Sequence, residues 1–263
     1  MKKAPFLLNL FTSCFNHEKQ TNAYTEYSAY FHHENTPIST SDNLMIESIK
    51  SAGGGCQFRF FGCRGGVSRD QFASLNMSSD VGDDPQHVAV NRQRVKKWMQ
   101  AEILVSTEQI HEDKVYVVDE DLQVDLEVNG FDALITARRN IGLLIQQADC
   151  QAVLLHDPKT PAIAAIHCGW RGSVLNIIGK TVQSMQQQFA TEPANLHAYI
   201  GPSLGPCCAE FINYRKELPE SFYRFQVNKY HFDFWAISTE QLISAGLGER
   251  KITIFRECTS CSE

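Results

Sequence analysis

Three apolar runs of strand length, residues 142–145, 152–155 and 162–166, follow one another too closely for a crossover helix to fit between them. Parallel strands need a connection of a dozen or more residues, whereas antiparallel neighbours can be joined by a tight turn. Antiparallel pairing is therefore expected in this part of the chain. Further runs at 115–118, 133–136, 196–200 and 252–255 have the same length and character. Helical signals lie between them. Asp84-Pro85 reads as an N-cap and first helical position, and Val88, Val95, Trp98 and Met99 share one face of the segment through Gln100. Val174, Ile178, Val182, Met185 and Phe189 recur at helical spacing from just after Arg171-Gly172. A third helix is expected over 234–245, with Gly246 as its stop. Helices and strands mix without the regular alternation of a doubly wound sheet. The expected class is α/β with α+β character: a single-domain layered sandwich with a mixed, partly antiparallel sheet.

Composition sets outer bounds. With 43% hydrophobic and 21% charged residues in 263, the chain is an ordinary globular one. A net charge of −6 gives no electrostatic footprint for nucleic acid or an anionic membrane surface. Nine cysteines, an odd number without repeated spacing, read as reduced thiols of a cytoplasmic protein rather than as a disulfide framework. Lys2-Lys3 and the apolar run after them resemble the start of an export signal, but Pro5 and Asn9 interrupt it, and an N-terminal tail or first strand is the expectation. Residues 1–55 are rich in Ser, Thr, Asn, His and Tyr and read as an N-terminal extension of uncertain order; residues 56–263 read as one catalytic domain.

Two histidines and a cysteine stand in distinctive phrases: Gln109-Ile110-His111, Ala148-Asp149-Cys150, and His167-Cys168-Gly169-Trp170-Arg171-Gly172. Two imidazoles and one thiolate suit a catalytic zinc, because three protein donors leave the fourth tetrahedral position for water or substrate. Their separation is far wider than in zinc fingers, so the fold must assemble the site. Adjacent side chains on an extended chain point to opposite faces, which excludes Cys168 as a companion ligand to His167 and sends it to the interior. Asp149, next to Cys150, meets the same objection; it either orients a loop or an imidazole N–H, or caps backbone amides. Gly169 to Gly172 lead into the expected helix, where backbone N–H groups and the helix dipole favour an anion, and Arg171 adds a forked donor suited to phosphate. Arg64 beside Gly65-Gly66 offers a second anion contact. Asn76 supplies an amide either to a ribose or base edge or to an Asx turn. Cys207-Cys208 and Cys258-x-x-Cys261 are each a single pair without a partner pair, and are expected to be unligated thiols.

Four phrases carry a family resemblance: Arg64-Gly65-Gly66-Val67-Ser68 with Ser74-Leu75-Asn76; Gly82-Asp83-Asp84 with Asn91-Arg92; Ala-Asp-Cys150 with His167 to Gly172; and Ile200-Gly201-Pro202-Ser203-Leu204-Gly205-Pro206-Cys207-Cys208. Over roughly residues 58 to 261 the chain resembles the YfiH or laccase-domain family, described as zinc-dependent purine nucleoside phosphorylases with adenosine deaminase activity and earlier as polyphenol oxidases. Cys63 stands where a threonine is expected and Ala209 where an aromatic is usual; family members normally continue through an arginine-bearing segment after Cys258-Thr259-Ser260-Cys261, and any substrate contact supplied there is either absent or carried by residues outside this sequence.

The resemblance implies a layered fold of the YfiH type and a zinc ion held by His111, Cys150 and His167. It implies purine nucleosides (adenosine, inosine, methylthioadenosine) and inorganic phosphate as substrates, with Arg64, Asn76 and Arg171 as contacts. Copper is the weaker alternative, since a multicopper centre needs many paired histidines and only His32-His33 are adjacent. A second reading makes Cys150 the nucleophile and His167 the base of a thiol hydrolase or amidase, acting on cell-wall precursors in some relatives. A third keeps zinc as a brace in a partner-binding protein.

Overall fold

The computed structural model describes residues 27–32, 45–49 and 56–261; the export-like segment lies outside them. Two six-stranded mixed sheets form the centre. The first takes β1 (Tyr27–His32), β2 (Met45–Ile49), β3 (Cys56–Phe61), β4 (Ile103–Glu108), β6 (Leu126–Asn129) and β8 (Ile141–Gln147), in the order β2-β3-β1-β8-β4-β6. The second takes β5 (Val115–Val117), β7 (Ala133–Thr136), β9 (Gln151–Asp157), β10 (Ala162–Cys168), β11 (His197–Ile200) and β12 (Ile252–Ile254), in the order β12-β11-β9-β10-β7-β5. Of the three close-spaced runs, β9 and β10 pair antiparallel as expected, whereas β8 crosses into the first sheet, where it lies antiparallel to β1 and parallel to β4.

Side-chain alternation separates the layers. Phe58, Phe60, Leu143 and Ile145 of the first sheet meet Leu134, Leu154, Ile163 and Ala165 of the second. The opposite face of the second sheet, carrying Ile135, Val153, Leu155 and Ile166, is covered by α3 (Ile177–Phe189) and α5 (Phe234–Ser244). Phe61, Leu104 and Leu144 turn outward from the first sheet onto α1 (Pro85–Trp98) through Val95 and the following Met99. The result is a four-layer α/β/β/α sandwich, in which strands buried on both faces read as continuous apolar runs. The short α2 (Trp170–Val174) and α4 (Tyr214–Glu217) complete the helices, and α4 borders a satellite core around Phe222, Phe232 and Phe234.

Central β1 pairs with β3 and β8, so strands before residue 56 join the first sheet. Two expectations are revised. The helix expected from Val174 to Phe189 is broken: Asn176 takes a left-handed conformation (φ 59°, ψ 48°) and its side chain accepts from the Gly179 N–H, starting α3 anew. A helix dipole behind Gly169 to Gly172 is thereby lost, because α2 has only five residues. Cys63 is in a disulfide, whereas the other cysteines among the described residues are free thiols. No helix among the described residues is long and apolar enough to cross a membrane.

The first sheet is tied to α1 by charge. Arg92 donates to Glu127 Oε1 (2.5 Å) and to Met77 O (2.8 Å), while Ser106 and Ser79 hydroxyls also donate to Glu127. Burial alone would raise the Glu127 pKa, but the Arg92 bond and charge, with the two serines, hold it below the ordinary value. A depressed carboxylate pKa contributes stability that is present above the unfolded value, near 4.3, and is lost as pH falls through the folded value. Glu127→Gln is therefore expected to cost about 1 kcal/mol at pH 7, and less at pH 3.5. Urea unfolding at both pH values checks this; an equal deficit at each would refute it.

Candidate metal centre

The antiparallel register places the site at one end of the second sheet. His167 pairs with Ala152 and Cys168 with Gln151, so the last turn of β10 lies beside the first residue of β9, which Cys150 immediately precedes. His167 points toward the inter-sheet side. Cys168 points to the helices, 2% exposed, with its sulfur 3.3 Å from Ser173 Oγ, as the alternation predicts. His111 arrives on the loop between β4 and β5. Gln109 anchors that loop to β8 at both ends of its amide, donating to Gln146 O (2.7 Å) and accepting from Gln146 N–H (2.8 Å).

His111 itself has a positive φ of 61°, a conformation that costs a non-glycine residue energy and needs local compensation. Asp132 supplies it. The carboxylate accepts from the N–H groups of Ile110 (3.3 Å), His111 (2.8 Å) and Glu112 (2.9 Å), and lies 2.8 Å from His167 Nδ1. The Asp132 carbonyl also accepts from the His167 N–H at 2.7 Å. One fully buried carboxylate thus fixes the backbone that presents the first imidazole and the ring plane of the second. Burial would raise the Asp132 pKa; the His167 hydrogen bond and charge and the backbone N–H groups hold it below the usual value. The orienting task left open for Asp149 falls to Asp132. Asp149 instead holds a loop: its carbonyl accepts from Leu204 N–H (2.9 Å), its carboxylate accepts from the Thr259 hydroxyl (3.2 Å), and burial pushes its pKa up.

The donor atoms of His111, Cys150 and His167 all lie within 4.8 Å of one another. The imidazole rings meet edge to face with centroids 4.7 Å apart. Gly169 closes the back of the cluster; a Cβ there would stand 3.0 Å from Cys150 Sγ and 3.3 Å from His111 Cδ2, so a larger residue would press on both donors. Burial disfavours the Cys150 thiolate, yet the neighbouring His167 charge and both imidazoles outweigh it and bring the thiol down to about 6. Burial likewise opposes charge on His167, but the Cys150 thiolate and the Asp132 bond raise it to about 9. Such a trio binds either protons or a cation. Two features fit a metal ion: His111 Nε2 is buried without a hydrogen-bond partner, and Asp132 engages His167 at Nδ1, leaving Nε2 as its donor.

The chain matches the family model described as multi-copper polyphenol oxidoreductase laccase over residues 57–263. It belongs to that family. The purine nucleoside phosphorylase of Corynebacterium glutamicum is 38% identical over 162 residues, 61% of this chain and 63% of the relative, so the match spans a little under two thirds of that protein. A purine nucleoside phosphorylase of Bacteroides thetaiotaomicron is 32% identical over 213 residues, covering 74% of this chain and 79% of the relative. Adenosine deaminase RL5, from an unknown prokaryotic organism, is 29% identical over 213 residues, covering 73% and 80%. Among solved structures, hypothetical protein YfiH of Bacillus licheniformis superposes with a TM-score of 0.68 at 30% identity, covering 77% of this chain and 82% of that one. The layered mixed-sheet fold is thus that of the YfiH proteins, as expected from the sequence.

The remaining residues of the laccase-family phrases are placed as follows. Arg64 is exposed, on the loop after β3, next to Gly65, whose carbonyl accepts from Arg94 (2.6 Å). Arg171 is exposed on α2 and lies over the Trp170 ring at 5.1 Å. Asn76 is fully buried; its amide donates to Ser78 O (3.2 Å) and Asp83 Oδ2 (3.0 Å) and accepts from the Ser78 N–H (3.0 Å). This is the Asx-turn arrangement. The sequence reasoning missed Asp132. The available signal was a lone acid directly before the largely apolar run 133–136, a position where a buried charge must find partners.

Proposed function

We propose that this chain is a zinc-dependent purine nucleoside phosphorylase that also deaminates adenosine, with inosine and methylthioadenosine as further substrates. The observation that carries the reading is the convergence of His111, Cys150 and His167 on one point, with Asp132 holding both imidazoles in register. Two nitrogens and one thiolate form a donor set of zinc type, and they provide three of the four positions of its tetrahedron. Bound zinc supplies Lewis-acid activation of water for hydrolytic loss of the amino group of adenosine.

The chain's own residues carry the rest. Asp132 engages His167 at Nδ1, so that Nε2 is the nitrogen a cation would take in place of a proton. The fall of the Cys150 pKa to about 6 makes its sulfur an anion at neutral pH, ready to ligate. Arg171 and Arg64, both exposed, supply permanently charged forks for inorganic phosphate and orient it toward the ribose carbon. The names of the relatives, purine nucleoside phosphorylase and adenosine deaminase, support both activities.

A second reading is favoured by one feature. Cys150, His167 and Asp132 also stand in the order of a nucleophile, base and orienting acid, which would serve a thiol hydrolase. That arrangement needs only one imidazole and leaves His111, with its buried Nε2, unexplained. Purified protein incubated with adenosine and phosphate, with adenine, ribose 1-phosphate and inosine quantified separately, tests the choice. Phosphorolysis and deamination abolished by a chelator and restored by zinc are expected. Chelator-insensitive amide or thioester hydrolysis, blocked by alkylation of Cys150, would favour the hydrolase instead.

A further inference from the structure

The pairs Cys207-Cys208 and Cys258-x-x-Cys261 are each without a partner pair locally, and the fold makes each the partner of the other. Strands β11 and β12 are parallel neighbours, with Ile200 opposite Ile254, so the chain leaves both at the same end. The register continues through a bridge between Ser203 and Cys258: the Ser203 N–H donates to Glu257 O and the Thr259 N–H donates to Ser203 O, each at 3.1 Å. Two tight turns follow, closed by Cys208 N–H to Gly205 O (2.9 Å) and Cys261 N–H to Cys258 O (3.1 Å). The four sulfurs then lie within 4.8 Å of one another, with Cys261 Sγ 3.2 Å from Cys208 Sγ and 3.4 Å from Cys207 Sγ.

Thiols are weak hydrogen-bond donors and acceptors, so mutual attraction does not account for gathering four of them from two turns, three at least partly exposed and Cys258 buried. A disulfide requires sulfurs at about 2.05 Å, and all four cysteines are free. A zinc ion with Zn–S bonds of about 2.3 Å sets the edges of its sulfur tetrahedron at about 3.8 Å, within the span of the observed separations. The Gly205 N–H donates to Cys258 Sγ at 3.2 Å, as suits a sulfur carrying negative charge. A Cβ at Gly205 would fall 3.0 Å from the Cys258 Cβ and 2.7 Å from the Trp235 ring, so the turn admits only glycine.

We propose that Cys207, Cys208, Cys258 and Cys261 form a second metal site, a closed tetrathiolate that binds zinc structurally. Four protein donors leave no position for substrate, and an all-thiolate set selects a soft cation over magnesium or calcium. Its location gives it a task. Thr259, between Cys258 and Cys261, holds the carboxylate of Asp149, and Leu204, upstream of Cys207, holds the Asp149 carbonyl. Asp149 is the neighbour of Cys150. The second ion would clamp the β11 and β12 exits together behind the sulfur of the first site.

Metal analysis of protein purified under reducing conditions tests this independently of the proposed activity. Wild type is expected to carry two zinc ions per chain. Cys207→Ser/Cys261→Ser, which alters only exposed positions, is expected to carry one, and Cys150→Ser to retain the thiolate zinc. Cobalt substitution adds a signature: the intense visible and sulfur-to-metal bands of a tetrathiolate should persist in Cys150→Ser and vanish in the double variant. An unchanged metal content in the double variant, folded by circular dichroism, would overturn the proposal. Cadmium-113 NMR of the wild-type chain decides the matter should the double variant fail to fold: a resonance in the tetrathiolate range supports the site, and its absence from cadmium-loaded protein refutes it.

Discussion

Cys150→Ser is expected to empty the His111–Cys150–His167 site and to lower kcat/KM for nucleoside phosphorolysis by about 10³-fold, the equivalent of about 4 kcal/mol of transition-state stabilisation. Serine keeps the volume but not the charge. The thiol at this position ionises near 6 because His167 and His111 favour the anion; a serine hydroxyl stays neutral throughout the accessible pH range and is a poor ligand for a soft cation. The fold should survive, since Cys150 is only partly buried and sits on a loop before β9. Zinc content and melting temperature, measured on the same preparation, separate the two effects. Loss of metal with a nearly unchanged melting transition is predicted. Activity within tenfold of wild type, or full metal retention at this site, would contradict the assignment of Cys150 as a ligand.

Asp132→Asn should produce the second largest effect, although the residue touches no ion. An amide nitrogen in place of one carboxylate oxygen faces N–H donors that it cannot accept from, whichever way it is flipped: Ile110 and Glu112 on one side, His111 and His167 on the other. A weakening of zinc affinity by about 10- to 100-fold is expected from the loss of such support. The left-handed turn at His111 should also loosen, at a stability cost of about 2 kcal/mol for the buried donors left unpaired. The sign with pH follows from the depressed Asp132 pKa. Its contribution is complete above the unfolded carboxylate value, near 3.9, and disappears as pH falls through the folded value. A positioning role predicts that saturating zinc restores most of kcat in the variant. A kcat that stays low with zinc bound would mean that Asp132 acts on the reaction itself.

The fold was most legible where strands are buried on both faces. Residues 133–136, 142–145, 152–155 and 162–166 are continuous apolar runs because the inter-sheet core takes one face and helices take the other. The strand Ile103–Glu108 escaped notice because it ends in Ser, Thr and Glu, whose polarity suits the sheet end where the His111 loop begins. Central β1 gives no local signal at all, since its partners β3 and β8 are distant in sequence. The break at Asn176 was hidden because apolar residues keep their spacing of four across it while the backbone turns left-handed.

Much the same holds for the site. His111, Cys150 and His167 could be named from the phrases around them, and alternation along β10 sends Cys168 the other way. Asp132 carries no phrase. Its importance comes from four hydrogen bonds to two separate segments, the loop Ile110–Glu112 and His167, and those contacts exist only after β7 has been laid beside β10. The cysteine pairs show the same limit. Neither Cys207-Cys208 nor Cys258-x-x-Cys261 has enough donors alone, and only the parallel register of β11 and β12 unites them.

Anomalous diffraction recorded on either side of the zinc edge would test the central claim most directly. The account predicts a zinc peak within bonding distance of His111 Nε2, Cys150 Sγ and His167 Nε2, with the fourth ligand not supplied by the protein. A zinc-replete crystal showing no peak there, or an ion enclosed by four protein donors, would contradict it.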